Sequence, residues 1–128
     1  MKAGPILIIE DSRANMKLIS LILEKSGYRV LKAGDAMEGI ALARSQQPML
    51  ILMDIQLPGM SGLEATAILK ADSITQAIPI IAVTALAMNG DEEKIRTAGC
   101  DAYLAKPIRH QTLLACIRET LARGEELE

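Results

Sequence analysis

The sequence contains no tryptophan and no phenylalanine, and its aromatic residues are Tyr28 and Tyr103 alone. That removes the stacking platform on which single-stranded nucleic acids lie. The net charge is only −2, with both signs mixed along the chain, so there is no basic face for a phosphate backbone either. The two cysteines, Cys100 and Cys116, lack metal-ligand spacing and form no Cys-x-x-Cys. They read as small buried apolar residues and not as a disulfide. The single histidine, His110, opens the last helix and reads as a solvated residue. With no Cys/His set, no glycine-rich phosphate loop and no serine elbow, zinc, nucleotide-loop and serine-nucleophile chemistry drop out. Half the residues are apolar, yet the longest apolar runs are about one strand long, which excludes a transmembrane helix. Met1 to Pro5 lead straight into such a run without a signal-peptide pattern. The expectation is a cytoplasmic chain with neither nucleic acid nor membrane as partner.

At 128 residues the chain is most simply one domain, able to bury roughly two-thirds of its unfolded surface. Its organising stretch is Leu50-Ile51-Leu52-Met53-Asp54-Ile55-Gln56-Leu57-Pro58-Gly59. Four apolar residues run into one carboxylate, and a turn signal follows. A short continuous apolar run reads as a strand buried on both faces, as in a parallel sheet. Asp54 then stands at the carboxyl end of that strand, where open α/β sheets bind ligands. The plainer alternative is a loop or capping acid, common after strands.

The rest of the chain repeats the theme. Ile6 to Ile9 is a second such run, ending in Glu10-Asp11. Ser12 can cap the next helix, with Ala14, Leu18, Leu21 and Ile22 on its apolar face and Arg13, Lys17, Ser20 and Glu24 on its polar one. Gly27 closes it. Tyr28 to Ala33 alternates partially, as an edge strand does. Asp35 to Glu38 has the form of a capping box for a helix with Ala36, Ile40 and Ala43 inward, stopping before Pro48. Ser61 can cap a helix from Gly62 to about Lys70. Ile80 to Thr84 is a third β-branched run, and Ala85 to Asn89 is ambiguous. Asp91 to Ala98 forms a short helix closed by Gly99, its apolar face little more than Ile95 and Ala98, with Met88 leading in. Such thin packing makes it a candidate mobile element. Ala102 to Ala105 is a fifth strand ending in Lys106-Pro107. The last helix, Arg109 to about Arg123, carries Leu114, Ile117 and Leu121 on one stripe, and residues 124–128 form a flexible tail. The βαβαβαβαβα alternation predicts an α/β fold, a doubly wound five-stranded parallel sheet with helices on both faces.

In a parallel sheet the strand ends Glu10-Asp11, Asp54, Thr84 and Lys106 meet at one edge. Three carboxylates that close repel one another, and one lysine does not offset them. A hard divalent cation is the natural partner. Magnesium takes one or two carboxylates plus a phosphate and keeps its waters. An aspartate, a magnesium ion, a hydroxyl and a lysine suit phosphoryl transfer to a carboxylate. The aspartate is the nucleophile, and the cations neutralise charge on the moving group.

These residues carry a family resemblance. Glu10-Asp11, Met53-Asp54-Ile55-Gln56-Leu57-Pro58-Gly59-Met60-Ser61-Gly62, Val83-Thr84-Ala85 and Tyr103-Leu104-Ala105-Lys106-Pro107 together resemble the receiver domain of two-component response regulators. The likeness spans Ile6 to about Leu121. Each motif alone is weak, whereas all four in this order on successive strand ends are highly specific. Ile9-Glu10-Asp11-Ser12, Asn15-Met16-Lys17-Leu18 and Val83 to Met88 are most similar to single-domain receivers of the DivK type and to receivers fused to hybrid kinases. Ser12 departs from the asparagine frequent there. The resemblance implies a flavodoxin-like strand order of 2-1-3-4-5 and a receiver domain over residues 1–123. It implies Asp54 as phosphoacceptor, Asp11 as direct magnesium ligand, Glu10 acting mostly through water and the Gln56 backbone carbonyl completing the set. Thr84 and Lys106 would contact the phosphoryl group, small Ala85 would leave it access, Tyr103 would be a rotating switch residue, and the Lys106–Pro107 peptide would be cis.

The expected activity is acceptance of a phosphoryl group from a phosphohistidine on a histidine kinase or histidine phosphotransfer protein, with catalysis limited to the chain's own phosphorylation and dephosphorylation. Because no output domain follows Arg123, the expected output is contact with a downstream protein effector. The expected contact face is the last helix, the Asp91–Ala98 helix and the strand between them. Three alternatives stand beside this reading. One is a receiver excised from a hybrid histidine kinase. Another is an aspartate-nucleophile phosphatase, disfavoured because Gln56 stands where its second aspartate would be. The third is a scaffold that is never phosphorylated.

Overall fold

Short β-branched runs alternate with capped amphipathic segments, and each becomes the element its pattern predicts. The computed structural model describes residues 4–85 and 91–126. Its elements are β1 (Ile6–Ile9), α1 (Arg13–Lys25), β2 (Val30–Ala33), α2 (Ala36–Gln46), β3 (Leu50–Asp54), α3 (Gly62–Ala71), β4 (Ile80–Thr84), α4 (Asp91–Ala98), β5 (Ala102–Ala105) and α5 (His110–Glu126). All strand pairs are parallel, in the order β2-β1-β3-β4-β5. The ambiguous stretch beginning at Ala85 falls, from Leu86 onward, outside the described residues, as do Met88, Leu127 and Glu128.

The three central strands β1, β3 and β4 are buried at every position. This is why they read as unbroken apolar runs and do not alternate. One core layer packs Leu7, Ile9, Ile51, Met53 and Ile80 against α2 and α3 through Ala36, Ala43, Ala65 and Leu69. The other packs Ile6, Ile8, Leu50, Leu52 and Ile81 against α1 and α5 through Ile19, Leu23, Leu113 and Ile117. Cys100 joins the first layer and Cys116 the second. Both are free thiols, pushed above the ordinary thiol range by burial.

Caps fix the helix starts. Ser12 accepts from the Asn15 N–H. Asp35 accepts from the Glu38 N–H, while Glu38 reaches back to the Gly34 N–H. The reciprocal arm therefore lands one residue before the cap. Ser61 and Glu64 make the complete reciprocal box, each side chain satisfying the other's backbone donor.

Two helix faces differ from the sequence reading. In α1 the buried side chains are Ile19, Ser20, Ile22 and Leu23, whereas Leu18 and Leu21 are 45% and 49% exposed. The helix carries two apolar stripes at helical spacing, and the sheet takes the one through Ile19 and Leu23. In α5, Leu113, Ile117 and Thr120 turn inward, with Leu114 and Leu121 at the margin. The stripe is rotated by about one position, because Leu113 and Leu114 fit the period equally well. β2 also starts at Val30, two residues after Tyr28, and α5 runs on past Arg123 to Glu126.

Candidate functional site

The register brings the polar strand ends together. Ile9 pairs with Met53, and Asp54 pairs with Val83. The residues that follow β1 therefore lie beside the end of β3, and Thr84 lies one step beyond. Thr84 pairs with Ala105, and its carbonyl accepts the Lys106 N–H at 2.8 Å. Lys106 is thereby set at the same edge. The Lys106–Pro107 peptide is cis.

Asp54 is 2% exposed and Glu10 is 3% exposed, so each carboxylate needs partners. One Asp54 oxygen accepts the Gln56 N–H at 3.0 Å, and the other meets the Lys106 ammonium at 3.2 Å. Glu10 accepts the Ser12 N–H at 3.1 Å and meets the same ammonium at 3.4 Å. Carboxylate oxygens of Glu10, Asp11 and Asp54 all lie within 4.8 Å of one another. Asp11 is the exposed member of the three. Burial pushes the Glu10 carboxyl above its ordinary range and the neighbouring Asp54 charge adds to this, against the opposing Ser12 bond and Lys106 charge. Among the described residues, the Lys106 ammonium meets two of these three acids, Glu10 and Asp54. The surplus of carboxylate oxygens suits a hard cation that takes oxygen ligands.

Asp54 is held in place by an unusually close backbone approach. The Gly62 N–H donates to the Ile55 carbonyl at 2.9 Å. A Cβ on Gly62 would stand 2.1 Å from the Asp54 carbonyl oxygen and 2.8 Å from the Ile55 Cα. The start of α3 therefore lies directly on the backbone that carries Asp54, and only glycine fits. The sequence reading used Gly62 as part of a motif without this reason. A signal was present, since glycine is a poor helix former.

Tyr103 lies apart from the acids. Its hydroxyl donates to a Glu92 carboxylate oxygen on α4 at 3.1 Å, and that bond raises the phenol above its ordinary range. The other Glu92 oxygen accepts from Arg96 at 2.8 Å. The sequence reading gave Glu92 no part in the site. His110 is exposed.

The response regulator receiver domain family matches this chain over residues 6–118. The chain belongs to that family. Among its relatives is the polar-differentiation response regulator DivK of Brucella anthropi, 49% identical over 116 residues, or 91% of this chain and 94% of that one. The receiver is also similar to a CheY-like receiver domain protein from Methanospirillum hungatei, with 35% identity and a TM-score of 0.89 over 99% of this chain and 100% of that one. A third relative is the receiver domain of a sensor histidine kinase from Pseudomonas aeruginosa, with 35% identity and a TM-score of 0.87 over 94% of this chain and 99% of that one. That structure has a magnesium ion coordinated in its active-site cleft. Among the described residues of this receiver, no helix is long and apolar enough to cross a membrane.

Proposed function

We propose that this receiver takes a phosphoryl group from a phosphohistidine, on a histidine kinase or a histidine phosphotransfer protein, onto Asp54. It then signals by contact with a protein effector. The observation that carries this reading is the Asp54 carboxylate itself, buried at a sheet edge between the Gln56 N–H and the Lys106 ammonium and beside Glu10 and Asp11. A carboxylate fixed by two donors is pre-oriented, which removes part of the entropic barrier to attack. An Asp54 oxygen bonds to phosphorus as the phosphorus–nitrogen bond to imidazole breaks, and that electron pair returns to the ring nitrogen.

The residues fit magnesium. Asp11 and Asp54 would hold it, with Glu10 acting mostly through water and the Gln56 carbonyl completing the protein ligands. When bound, magnesium supplies positive charge to the oxygens of the transferring group. Lys106 already lies on the Asp54 oxygen and would neutralise charge there as well. The Thr84 hydroxyl donates to a phosphoryl oxygen, and Ala85 is small enough to leave access. The chain accelerates only its own phosphorylation and dephosphorylation, in the cytoplasm, and its effector face is α4, β5 and α5.

The likeness to DivK over nearly its whole length supports a stand-alone regulator. The likeness to a sensor kinase receiver supports the second reading, a receiver cut from a hybrid kinase. The deciding experiment for Asp54 is intact mass after incubation with a small phosphodonor and magnesium. Wild type should gain one acid-labile phosphoryl group, and Asp54→Asn or excess chelator should abolish it. Labelling of Glu10 or Asp11 in the wild type, or full labelling in chelator, would overturn the assignment.

A further inference from the structure

We propose that Glu92 is an inhibitory latch that holds Tyr103 at the protein surface and so opposes the activated arrangement of the α4–β5 face. This rests on reading Asp54 as phosphoacceptor and Tyr103 as the residue that moves.

Residues paired across parallel strands point to the same side of the sheet. Tyr103 pairs with Ala82, and Ala105 pairs with Thr84. Tyr103 therefore shares one face with Thr84, and its neighbours there are two alanines. On this proposal the tyrosine ring has an inner position toward Thr84, beside these small side chains, that competes with the outer one. Among the described residues, the hydroxyl bond to Glu92 holds the outer position. Glu92 is itself steadied by Arg96 one turn along the same helix. A glutamate four residues before its cation is the favoured order in a helix. Thus Arg96 positions Glu92, Glu92 positions the phenol, and α4 is tied to β5 through its first turn. Moving the ring inward must break a hydrogen bond to a charged acceptor. In an exposed setting such a bond biases an equilibrium by about threefold to tenfold. A bias of that size can be overcome by phosphorylation, as a latch requires, and is large enough to lower the resting activated population.

The full chain provides its own probe. It has no tryptophan and only two tyrosines, so Tyr28→Phe leaves Tyr103 as the sole phenol. In that background, absorbance titration of Tyr103 should show a midpoint that falls toward the ordinary tyrosine value in Glu92→Ala and less far in Glu92→Gln, which keeps an acceptor. Calorimetry then measures the affinity of each variant for beryllofluoride with magnesium. Glu92→Ala should bind about threefold to tenfold more tightly than wild type, Arg96→Ala should shift in the same direction by less, and Glu92→Gln should restore part of the wild-type value. A residue that merely steadies α4 would leave the affinity unchanged or lower it. If wild type binds beryllofluoride and Glu92→Ala binds it no more tightly, or if the phenol midpoint does not move, the latch is wrong while the Asp54 reading stands. If wild type itself fails to bind, the Asp54 reading falls and takes the latch with it.

Discussion

Asp54 and Tyr103 each meet a charged partner, but in opposite surroundings. Asp54 is almost fully buried, and its partners are a backbone N–H and a lysine locked by β5. The Tyr103 hydroxyl and the Glu92 carboxylate meet at the surface. Removing one partner of a buried charge leaves the other uncompensated and costs several kcal/mol. Breaking a surface contact costs on the order of 1 kcal/mol. On the proposed reading, the chemistry sits where geometry is expensive to disturb, and the signal is read where it is cheap to change. A phosphoryl group can shift the surface only through contacts that differ between its two arrangements.

The strongest challenge to this contrast is Gly62→Ala. Overpacking against backbone that cannot yield should cost about 3 kcal/mol or more, read as a lower urea midpoint. An unchanged midpoint would mean that the backbone carrying Asp54 is not held as tightly as the 2.1 Å approach implies. Next comes Thr84→Ala. It should still accept phosphate at Asp54 yet lose most of the gain in effector affinity, a coupling of about 1–3 kcal/mol or roughly 5–150-fold. Tyr103→Ala should do likewise without touching the acids. Retention of the full gain by both would show that coupling bypasses β4 and β5. Ser61→Ala removes half of the α3 capping box and should cost about 1 kcal/mol, with labelling of Asp54 intact. The smallest effect belongs to Arg96→Ala. Loss of one exposed helical ion pair should lower stability by under about 0.5 kcal/mol, so thermal melts should nearly superimpose.

The strands and the acids were legible because their signals are local. Ile80 to Thr84 and Ala102 to Ala105 have the same bounds in sequence and structure, since each is a short, mostly apolar run bounded by turn or charged residues, whether central like β4 or at the edge like β5. Convergence of Glu10, Asp11, Asp54 and Lys106 followed from parallel pairing alone. The α1 face was not legible. Leu18 and Leu21 match helical spacing as well as Ile19 and Leu23 do, and only the sheet decides between them. Gly62 and Glu92 were missed for a related reason. Each acts on a residue of another element, through a backbone approach in one case and a side-chain bond in the other, and periodicity carries no trace of such contacts.

The pairing of β1 with β3 also has a thermodynamic consequence. Glu10 and Asp11 are separated from Asp54 by more than forty residues of chain, so the cluster exists only while those two strands are docked. Any cation held by these oxygens recognises the folded chain and ignores the unfolded one. By mass action it adds RT ln(1 + [L]/Kd) to the unfolding free energy, about 2.7 kcal/mol at a hundredfold excess over Kd. On the proposed magnesium reading, divalent-ion concentration becomes a control on how long the protein survives proteolysis, independent of any partner or phosphodonor.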